Sequence, residues 1–564
     1  MPTGDEYRCG SGGELAPRTL EHMETAVRHP RPTSTPAPAV VTPPVVGAVR
    51  VGASLLAGLL ALAVVRMAAL TLGRRPAGLL FLGRHGGRAA QRAGLVAAVL
   101  TAARARRRVP AYRAATAGVR PWRAALGAGR LSAYLDALPV LDKRGYIDAH
   151  PLERRCLDGR LPERGVEVDE SSGSSGRPYQ WVRSRQELDE VERSLAVQAA
   201  LQLAPRRHRR VVVLNCFSMG AWATGQSVSG ALRHLGVLKA CGPDADTALA
   251  AIDLVGPDVC YVVCGYPPFL DTLVRTAADR GVDLSGLELW GFVGGEGMTE
   301  VLRTRLERTF HRVFSAYGAS DLDIGVAGEC ELTVALRRAA AGNPAFAEAL
   351  FGRAHRLPMV FCYDPSTYHV ETVTGTDGDE LVVTVTRRLL SPRVRYAVHD
   401  AGGTLEHEAV RRLAREHGVV LPTRDQPRLP LLFVSGRADS TVSHMGANLY
   451  PEDVDTALGL LATDEPGLGL GAFCLGLADT DDGATVPVVH VETTDPSAAT
   501  ADTVRAALAG WLVAHNRDWA AAAEEDRRAL AFDVRPVPPG TGVFAANAGR
   551  IKRRYVTHTT DEES

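Results

Sequence analysis

The sequence has very little lysine. Of its 64 basic residues, only Lys143, Lys239 and Lys552 are lysines. A coding bias towards arginine accounts for the overall trend. The planar guanidinium of arginine cannot replace a compact ammonium group on a flexible side chain. If the mechanism requires such an ammonium group, these three lysines are the only candidates.

The sequence also lacks net charge and paired cysteine motifs. With 64 acidic residues against 64 basic ones, the chain has no overall basic field to meet phosphates, which argues against nucleic acid as a partner. Its nine cysteines show no zinc-ribbon spacing. The nearest pair, Cys260 and Cys264, lies in an apolar run and predicts two buried thiols. The pattern excludes a disulfide scaffold and favours a reducing, cytoplasmic compartment.

Acidic residues are absent from a long N-terminal stretch. Between Thr25 and Leu135 there is no Asp or Glu, whereas 17 arginines fall there. The Pro-, Ser- and Thr-rich residues 1–45 are predicted to be disordered. Residues 46–104 form a basic, apolar segment predicted to be helical, and a basic helix over 85–116 is interrupted at Pro110.

An apolar run lies inside this stretch, from Val51 to Val65 between Arg50 and Arg66. It falls short of the roughly 20 residues of a spanning helix, and reaches that length only by extension past Arg66 to Gly73. Two interpretations stay open. The helix lies on an anionic membrane surface through residues 46–75, as a peripheral contact, or it packs against the main body.

The length of 564 residues is too great for one hydrophobic core. Short apolar runs alternate with helical stretches from residue 138 to about 355, which predicts a mostly parallel sheet covered on both faces. Beyond it, period-two alternation predicts an antiparallel sheet or barrel, followed by a small α/β piece. The fold class is therefore α/β, with a large multi-sheet body of residues 105–436 and a small α+β lid of residues 437–564.

Three segments carry residue types suited to a nucleotide. The Ser/Gly loop at 170–178 (ESSGSSGRP) can direct backbone N–H groups at phosphates, although it lacks the GK[ST] ending of a Walker loop and could be a linker. WGFVGGEG, at 290–297, runs from a strand into glycines, where open α/β sheets bind ligands. SAYGASDLD, at 315–323, offers an aromatic ring, a hydroxyl and a carboxylate for a purine, a phosphate and a magnesium ion.

Further segments follow in the second half of the chain. In RVRYAVHDAGG, Asp400 follows a strand and is placed to accept two ribose hydroxyls, although the loop could also be a simple turn. SGRADSTVSHMGANLYPEDV, at 435–454, lies at the proposed domain joint, and NAGRIKRRYV near the C-terminus contains Lys552.

In this order the motifs resemble those of the adenylate-forming superfamily of acyl-CoA synthetases, adenylation domains and luciferases. They are most similar to its phenylacetate–CoA ligase and coenzyme F390 synthetase-like branch. LDALPVLDKRGYID, at 135–148, is similar to that branch's entry segment and accounts for Lys143. The resemblance covers roughly residues 105 to 556.

The resemblance implies a role for each matching residue. The phosphate loop would be formed by Ser171, Ser172, Gly173, Ser174, Ser175 and Gly176. The rest of the ATP/AMP site would comprise Gly295, Glu296, Tyr317, Gly318, Asp400 and Arg437, with Ser320 on the α-phosphate and Asp321 on Mg²⁺. The acid would lie among Phe217, Met219, Trp222, Tyr266 and Phe292. Asp439 would be the hinge of the lid, and the thiol tunnel would be lined by His444, Gly446 and Asn448.

Three positions depart from the family pattern. Asp321 stands where the family usually has Glu, and Arg177 replaces the usual Lys of the phosphate loop. Direct alignment puts Arg550 at the position of the catalytic lysine. Because the chain contains only three lysines, the presence of Lys552 two residues further on favours an alignment shifted by two residues, with Lys552 as the catalytic residue.

The implied activity is ATP-dependent conversion of a carboxylic acid to an acyl-adenylate, followed by transfer to a thiol. Coenzyme A is the favoured acceptor, and the phosphopantetheine arm of an acyl or aryl carrier protein is the alternative. The apolar, partly aromatic walls favour an aryl or apolar acid as the small-molecule substrate. A catalytically impaired homologue that has kept the fold is the rival interpretation from a different class.

Overall fold

The computed structural model describes residues 44–72, 87–171, 179–202, 210–219, 223–352, 357–375, 378–387, 389–422, 428–437, 442–445, 447–480 and 484–547. Its helices are Pro44–Leu72 (α1), Gly87–Arg108 (α2), Pro110–Ala115 (α3), Pro121–Ala128 (α4), Ala133–Asp136 (α5), Leu152–Arg155 (α6), Arg185–Gln202 (α7), Ala223–Leu232 (α8), Ala245–Val255 (α9), Pro267–Asp279 (α10), Glu300–Leu306 (α11), Glu331–Ala341 (α12), Pro344–Phe351 (α13), His407–Glu416 (α14), Pro451–Asp464 (α15), Ala498–His515 (α16) and Arg517–Glu525 (α17).

Eighteen strands are present in the described ranges. They are Val166–Ser171 (β1), Tyr179–Ser184 (β2), Val211–Asn215 (β3), Val237–Ala240 (β4), Cys260–Gly265 (β5), Glu288–Gly294 (β6), Arg312–Tyr317 (β7), Ala327–Gly328 (β8), Met359–Tyr363 (β9), Tyr368–Gly375 (β10), Gly378–Val385 (β11), Tyr396–Leu405 (β12), Leu431–Arg437 (β13), Val442–His444 (β14), Ala447–Leu449 (β15), Phe473–Asp479 (β16), Thr485–Glu492 (β17) and Asp533–Val537 (β18).

One sheet of eleven strands forms the centre of the body, in the order β10-β11-β12-β13-β9-β8-β7-β6-β5-β3-β4. Strands β3 to β7 pair in parallel, as the strand–helix alternation predicts. Because parallel strands point the same way, the segments after β3, β5, β6 and β7 all meet at one edge of the sheet.

The strands after residue 355 extend this same sheet. Strands β8 to β13 pair antiparallel, and β8 joins them to β7. The antiparallel sheet predicted from the period-two alternation is therefore confirmed. The strands belong to an open sheet and do not form a barrel. The local pattern could not show that both halves share one sheet, because that depends on the pairing of the two-residue strand β8.

Helix α10 illustrates how local sequence sets an element. Its first turn begins at Pro267, where the missing N–H costs nothing. Phe269, Leu270 and Leu273 then lie on one buried face at helical spacing. Gly281, with φ of +68°, lies just beyond its C-terminus. The next predicted helix, over 298–310, is shorter than expected, because only Glu300–Leu306 is helical.

Residues 442–547 form what we call the C-terminal region. Strands β16 and β17 pair antiparallel, β18 pairs parallel to β17, and α15, α16 and α17 complete the layer. A separate hydrophobic core spans Val442 to Val534 and includes the buried Trp519. The boundary at residue 437 stays a prediction, and the hinge residue Asp439 lies outside the described residues.

Candidate nucleotide and acyl site

A cavity of about 800 Å³ lies at the carboxyl ends of the parallel strands and against the C-terminal region. Most of the predicted site residues that the structure describes line it. From the nucleotide set these are Gly295, Glu296, Tyr317, Gly318, Ser320, Asp321 and Asp400. From the acid pocket they are Phe217, Tyr266 and Phe292, and from the thiol tunnel His444 and Asn448.

The remaining predicted residues divide into two groups. Ser171 and Arg437 are described in their backbone only, at the ends of β1 and β13. Arg437 is the strand partner of Asp400, so the chain does bring these two positions together. The residues outside the described ranges are Ser172, Gly173, Ser174, Ser175, Gly176, Trp222, Asp439, Gly446, Arg550 and Lys552.

Met219 is the one described pocket residue that the cavity does not include. Its sulfur lies beside Gly225 near the start of α8. The role of Met219 in the acid pocket stays a prediction.

Two glycines let other groups approach the cavity wall closely. Gly295 has φ of +88°, and a Cβ there would come within 2.5 Å of the Tyr266 ring. At Gly318 a Cβ would come within 2.2 Å of the Ile324 carbonyl oxygen. Any side chain at either position would displace its neighbour. The glycines after β6 and β7 are therefore needed for the close packing of the cavity wall.

Tyr317 and Asp400 contact each other in the wall of the cavity. The Tyr317 hydroxyl donates a hydrogen bond to Asp400 Oδ2. The Tyr317 ring packs on Phe361, with ring centroids 5.8 Å apart and planes tilted by 31°. The structure thus joins the aromatic ring of one predicted motif to the carboxylate of another, 83 residues apart in sequence.

Asp400 belongs to strand β12, contrary to the predicted loop after a strand. His399, just before it, has φ of +60°, and the pairing of β12 with β13 shifts register between Ala401 and Gly402. Such a β-bulge redirects side chains within a strand. The bulge gives Asp400 the exposure to the cavity that was expected from a loop.

Asp321 lies buried at the same end of the cavity and is 4% exposed. Lys143 Nζ is 3.6 Å from Asp321 Oδ2, and it lies 5.5 Å from the centroid of the Tyr179 ring. Burial, and then the negative charge of Asp321, raise the pKa of Tyr396 well above its usual value. Arg393 Nε donates to the Asp321 carbonyl at 2.7 Å.

Strand β12 also fixes the position of Lys143. Leu141 donates its N–H to the Arg395 carbonyl at 2.9 Å and accepts from the Ala397 N–H at 2.8 Å. Asp142 then accepts from the Gly145 N–H and caps the single π-helical turn Lys143–Ile147. Lys143 is thereby tied to the strand that carries Asp400.

Buried Arg183 is a positioning residue that no motif in the sequence indicated. It donates to Asp169 Oδ2 at 2.6 Å, to the Leu322 carbonyl at 2.8 Å and to the Ser320 carbonyl. Its Nη1 lies 3.5 Å from Asp323. Arg183 thus holds the turn after β7 against the β1–β2 hairpin, which brackets the Ser/Gly loop. For Lys143 a signal existed, since it is one of three lysines.

The part of the cavity predicted to hold the acid has aromatic walls. The Phe217 and Tyr266 rings meet edge to face, with centroids 5.4 Å apart at 83°. Ser218 Oγ donates to Glu525 Oε2 of the C-terminal region at 2.6 Å. Burial raises the pKa of the Glu525 carboxyl above its usual value.

The β14–β15 hairpin closes the cavity from the C-terminal side. The Met445 N–H donates to Glu296 Oε2. His444 is 5% exposed, its ring centroid lies 6.1 Å from that of Trp519, and burial lowers its pKa to about 4. Among the described atoms its Nε2 has no hydrogen-bond partner. Neutral His444 therefore presents an imidazole to the cavity wall.

Comparison with known proteins finds relatives in structure only. No family model and no curated protein matches the chain. A 2-hydroxyisobutyryl-CoA ligase, solved with 2-HIB-AMP and CoA in the thioesterification state, is 18% identical with a TM-score of 0.54. The alignment covers 83% of this chain and 89% of that one.

Two further solved structures match at lower scores. The same ligase in the postadenylation state with R3-HIB-AMP is 16% identical, with a TM-score of 0.48 over 84% of this chain and 91% of that one. Amide bond synthetase McbA from Marinactinospora thermotolerans is 16% identical, with a TM-score of 0.39 over 78% of this chain and 90% of that one. The alignment at 0.54 is the one that shows the fold, and this chain has the adenylate-forming ligase fold.

Proposed function

We propose that the protein is an AMP-forming ligase that activates a carboxylic acid with ATP and passes the acyl group to a thiol. The observation that carries the proposal is the convergence of two pairs, Tyr317 with Asp400 and Lys143 with Asp321, on one cavity. The Tyr317 ring can stack on adenine while the Asp400 carboxylate accepts ribose hydroxyls. The Lys143 ammonium can bind phosphate oxygens while the Asp321 carboxylate binds their metal ion.

At the nucleoside end, Tyr317 would stack on adenine and Asp400 would accept the ribose hydroxyls. An ionised carboxylate has about four acceptor positions on two oxygens. The bond from the Tyr317 hydroxyl is therefore compatible with ribose binding. Backbone N–H groups around Gly295 and Gly318 would border the purine and the α-phosphate, and Ser320 would add a hydroxyl there.

At the phosphate end, the donor set fits a magnesium ion that arrives with ATP. Magnesium is usually held by one or two protein carboxylates together with phosphate oxygens and waters. Asp321 supplies one carboxylate, and no cluster of three metal-ligating side chains occurs among the described residues. When bound, the ion would offset the charge that develops as pyrophosphate leaves. Lys143 would contribute its ammonium to the same phosphates.

In the first half-reaction the substrate carboxylate attacks the α-phosphorus of ATP and pyrophosphate departs. The chain's task is to align two anions and to offset their charge, which requires positioned cations rather than covalent chemistry. We assign that charge to Lys552, with Arg550 as the competing register. Phe217, Tyr266 and Phe292 would hold an apolar or aryl tail next to the reacting carboxylate.

In the second half-reaction a thiol attacks the acyl-adenylate and AMP leaves. We infer coenzyme A as the thiol, with Asn448 and His444 along its approach. His444 is buried and burial lowers its pKa, so its imidazole would be neutral beside the thiol. The entry segment that carries Lys143 supports placing the chain in the phenylacetate–CoA ligase-like branch.

Pyrophosphate exchange across a panel of aryl, branched and straight-chain carboxylic acids tests the proposal. A ligase returns label to ATP with at least one acid, whereas an inactivated homologue exchanges with none. Supplying coenzyme A or a phosphopantetheinylated carrier protein to the active acid then identifies the acceptor. Thioester on the carrier alone would overturn the assignment to coenzyme A but leave the adenylation standing.

A further inference from the structure

Helix α1 has two apolar faces, and among the described residues only one of them packs against the rest of the protein. Val51, Leu55 and Leu62 lie on the face that packs on α2. Gly58 lies on the same face, where a Cβ would come within 2.1 Å of Val96 Cγ2. The helix is therefore packed closely on the body, which the packed-helix interpretation of the sequence predicted.

The opposite face of α1 is apolar and exposed. Val49, Leu56, Leu60 and Val64 follow one another at intervals of seven and four residues, so they share one side of the helix. Leu56 and Leu60 each expose 61% of their surface, and Val64 exposes 63%. The window Val45–Ala68 has a mean hydropathy of 2.2 and is 17% buried. Large contiguous apolar patches on a protein mark interaction surfaces.

Two arginines border this exposed face. At 3.6 residues per turn, Arg50 and Arg66 project about 100° to either side of its centre. Both are exposed. The neighbouring helix α4 packs on α1 at Gly47 and presents Trp122 and Leu126, which are 41% and 39% exposed.

The stretch of chain that carries this surface has charged residues of one sign only. Residues 26–134 contain no Asp or Glu. A second copy of the chain docking face to face would bring two sets of arginines together without a compensating carboxylate, so charge argues against self-association. An anionic lipid surface supplies both an apolar layer for the leucines and negative headgroups for the arginines.

We propose that the exposed face of α1, with Trp122 and Leu126 of α4, docks the protein on an anionic lipid bilayer, with the helix lying in the interface plane. The 29-residue helix is long enough to cross a bilayer. Crossing would strip its other face from α2, however, and would leave the groove around Val96 empty. An interfacial position keeps that packing and buries only the free face. This inference does not depend on the proposed enzyme activity.

Co-sedimentation of the full chain with vesicles tests the docking. We expect binding to vesicles of equal parts phosphatidylcholine and phosphatidylglycerol at low salt, and weaker binding to phosphatidylcholine alone. The double variant Leu56→Glu/Leu60→Glu should lower the partition coefficient by about tenfold or more, because two leucine side chains that would insert into the lipid are lost. Arg50→Gln/Arg66→Gln keeps the apolar face and should weaken binding to the anionic vesicles by about tenfold.

The matched control is Leu254→Glu, which changes an exposed leucine (85%) on α9 and should bind vesicles as the parent chain does. Thermal unfolding of each variant checks that it folds. Three results would each overturn the proposal: no sedimentation of the parent chain with anionic vesicles, equal binding of parent chain and Leu56→Glu/Leu60→Glu, or gel filtration showing a dimer that this variant dissociates.

Discussion

The two sides of the cavity are held by different kinds of contact. On the body side, charged groups join elements far apart in sequence. Arg183 joins the β1–β2 hairpin to the turn after β7, and Lys143 joins the entry segment to Asp321. Both sets are largely buried, so breaking any one of them leaves a charge without its partner, which is costly.

On the C-terminal side, the contacts to the body are mostly separate hydrogen bonds, with one long ion pair between Arg528 and Asp271 at 4.0 Å. Met445 donates to Glu296, and Ser218 donates to Glu525 at 2.6 Å. Arg528 donates to the Pro268 carbonyl at 3.3 Å. Each such bond contributes about 1 kcal/mol net. The comparison indicates a preorganised body and a C-terminal region that is held to it by fewer charged contacts, which is what the proposed two-step reaction with a moving lid would require.

The largest expected effect comes from removing the cation that we assign to Lys552. Lys552→Ala should slow adenylate formation by two powers of ten or more, which corresponds to about 3 kcal/mol for one preorganised charge. Given synthetic acyl-adenylate and a thiol, the same variant should form thioester at a near-normal rate. Pyrophosphate exchange and single-turnover thioester assays measure the two steps separately.

Two further variants decide whether Lys552 or Arg550 is the catalytic cation. Lys552→Arg should restore little activity if a point charge is needed. If Arg550→Ala abolishes adenylation while Lys552→Ala spares it, the shifted register is wrong and the enzyme uses arginine.

The next effect tests the preorganised body. Tyr317→Ala and Asp400→Ala should weaken ATP binding by about 1.5–3 kcal/mol, more than Asp321→Ala does, because stacking and ribose contacts are made in every state. Asp321→Ala should mainly lower turnover of bound ATP. Tyr317→Phe is the matched control, since it keeps the ring and removes only the hydrogen bond to Asp400. Calorimetric ATP affinities would contradict the ranking if Asp321→Ala weakened binding most.

His444 provides a smaller effect that depends on pH. Its pKa falls from 6.5 to about 4 because burial disfavours the charged ring. Its contribution to stability is therefore present above pH 6.5 and is lost as the pH falls towards 4. His444→Asn should reduce this loss by about 1–2 kcal/mol in denaturant unfolding between pH 6.5 and 4.5. His234→Asn, at an exposed histidine, is the matched control for the substitution itself.

The smallest effect concerns Glu525. Burial raises its pKa, so docking of the C-terminal region is favoured when the carboxyl is neutral and weakens as the pH rises through that raised pKa. Glu525→Gln is neutral at every pH and should tighten docking by less than about 1 kcal/mol. The ratio of the adenylation rate to the rate of thioester formation from synthetic acyl-adenylate should then shift a few-fold. Glu524→Gln, at an exposed neighbour, should change neither rate. If Glu524→Gln changed the rates as much as Glu525→Gln does, the proposed role of Glu525 would be wrong.

Much of the molecule could be predicted from local patterns. The parallel strands, the helix after Pro267 and the small C-terminal layer follow from apolar periodicity and from glycine and proline signals, which act over a few residues. The positions of Tyr317, Asp321 and Gly295 follow in the same way, because each comes at or just after the end of a predicted strand.

Other features depend on contacts between distant parts of the chain, and only the tertiary structure decided them. Arg183 and Lys143 act through partners more than a hundred residues away, and Asp400 reaches the cavity through a bulge rather than a loop. Helix α1 is the clearest case. Its sequence determined that it is apolar and bordered by arginines, but packing on α2 decided which face stays exposed. A hydrophobic run specifies the amount of apolar surface, whereas its burial depends on what the rest of the chain places against it.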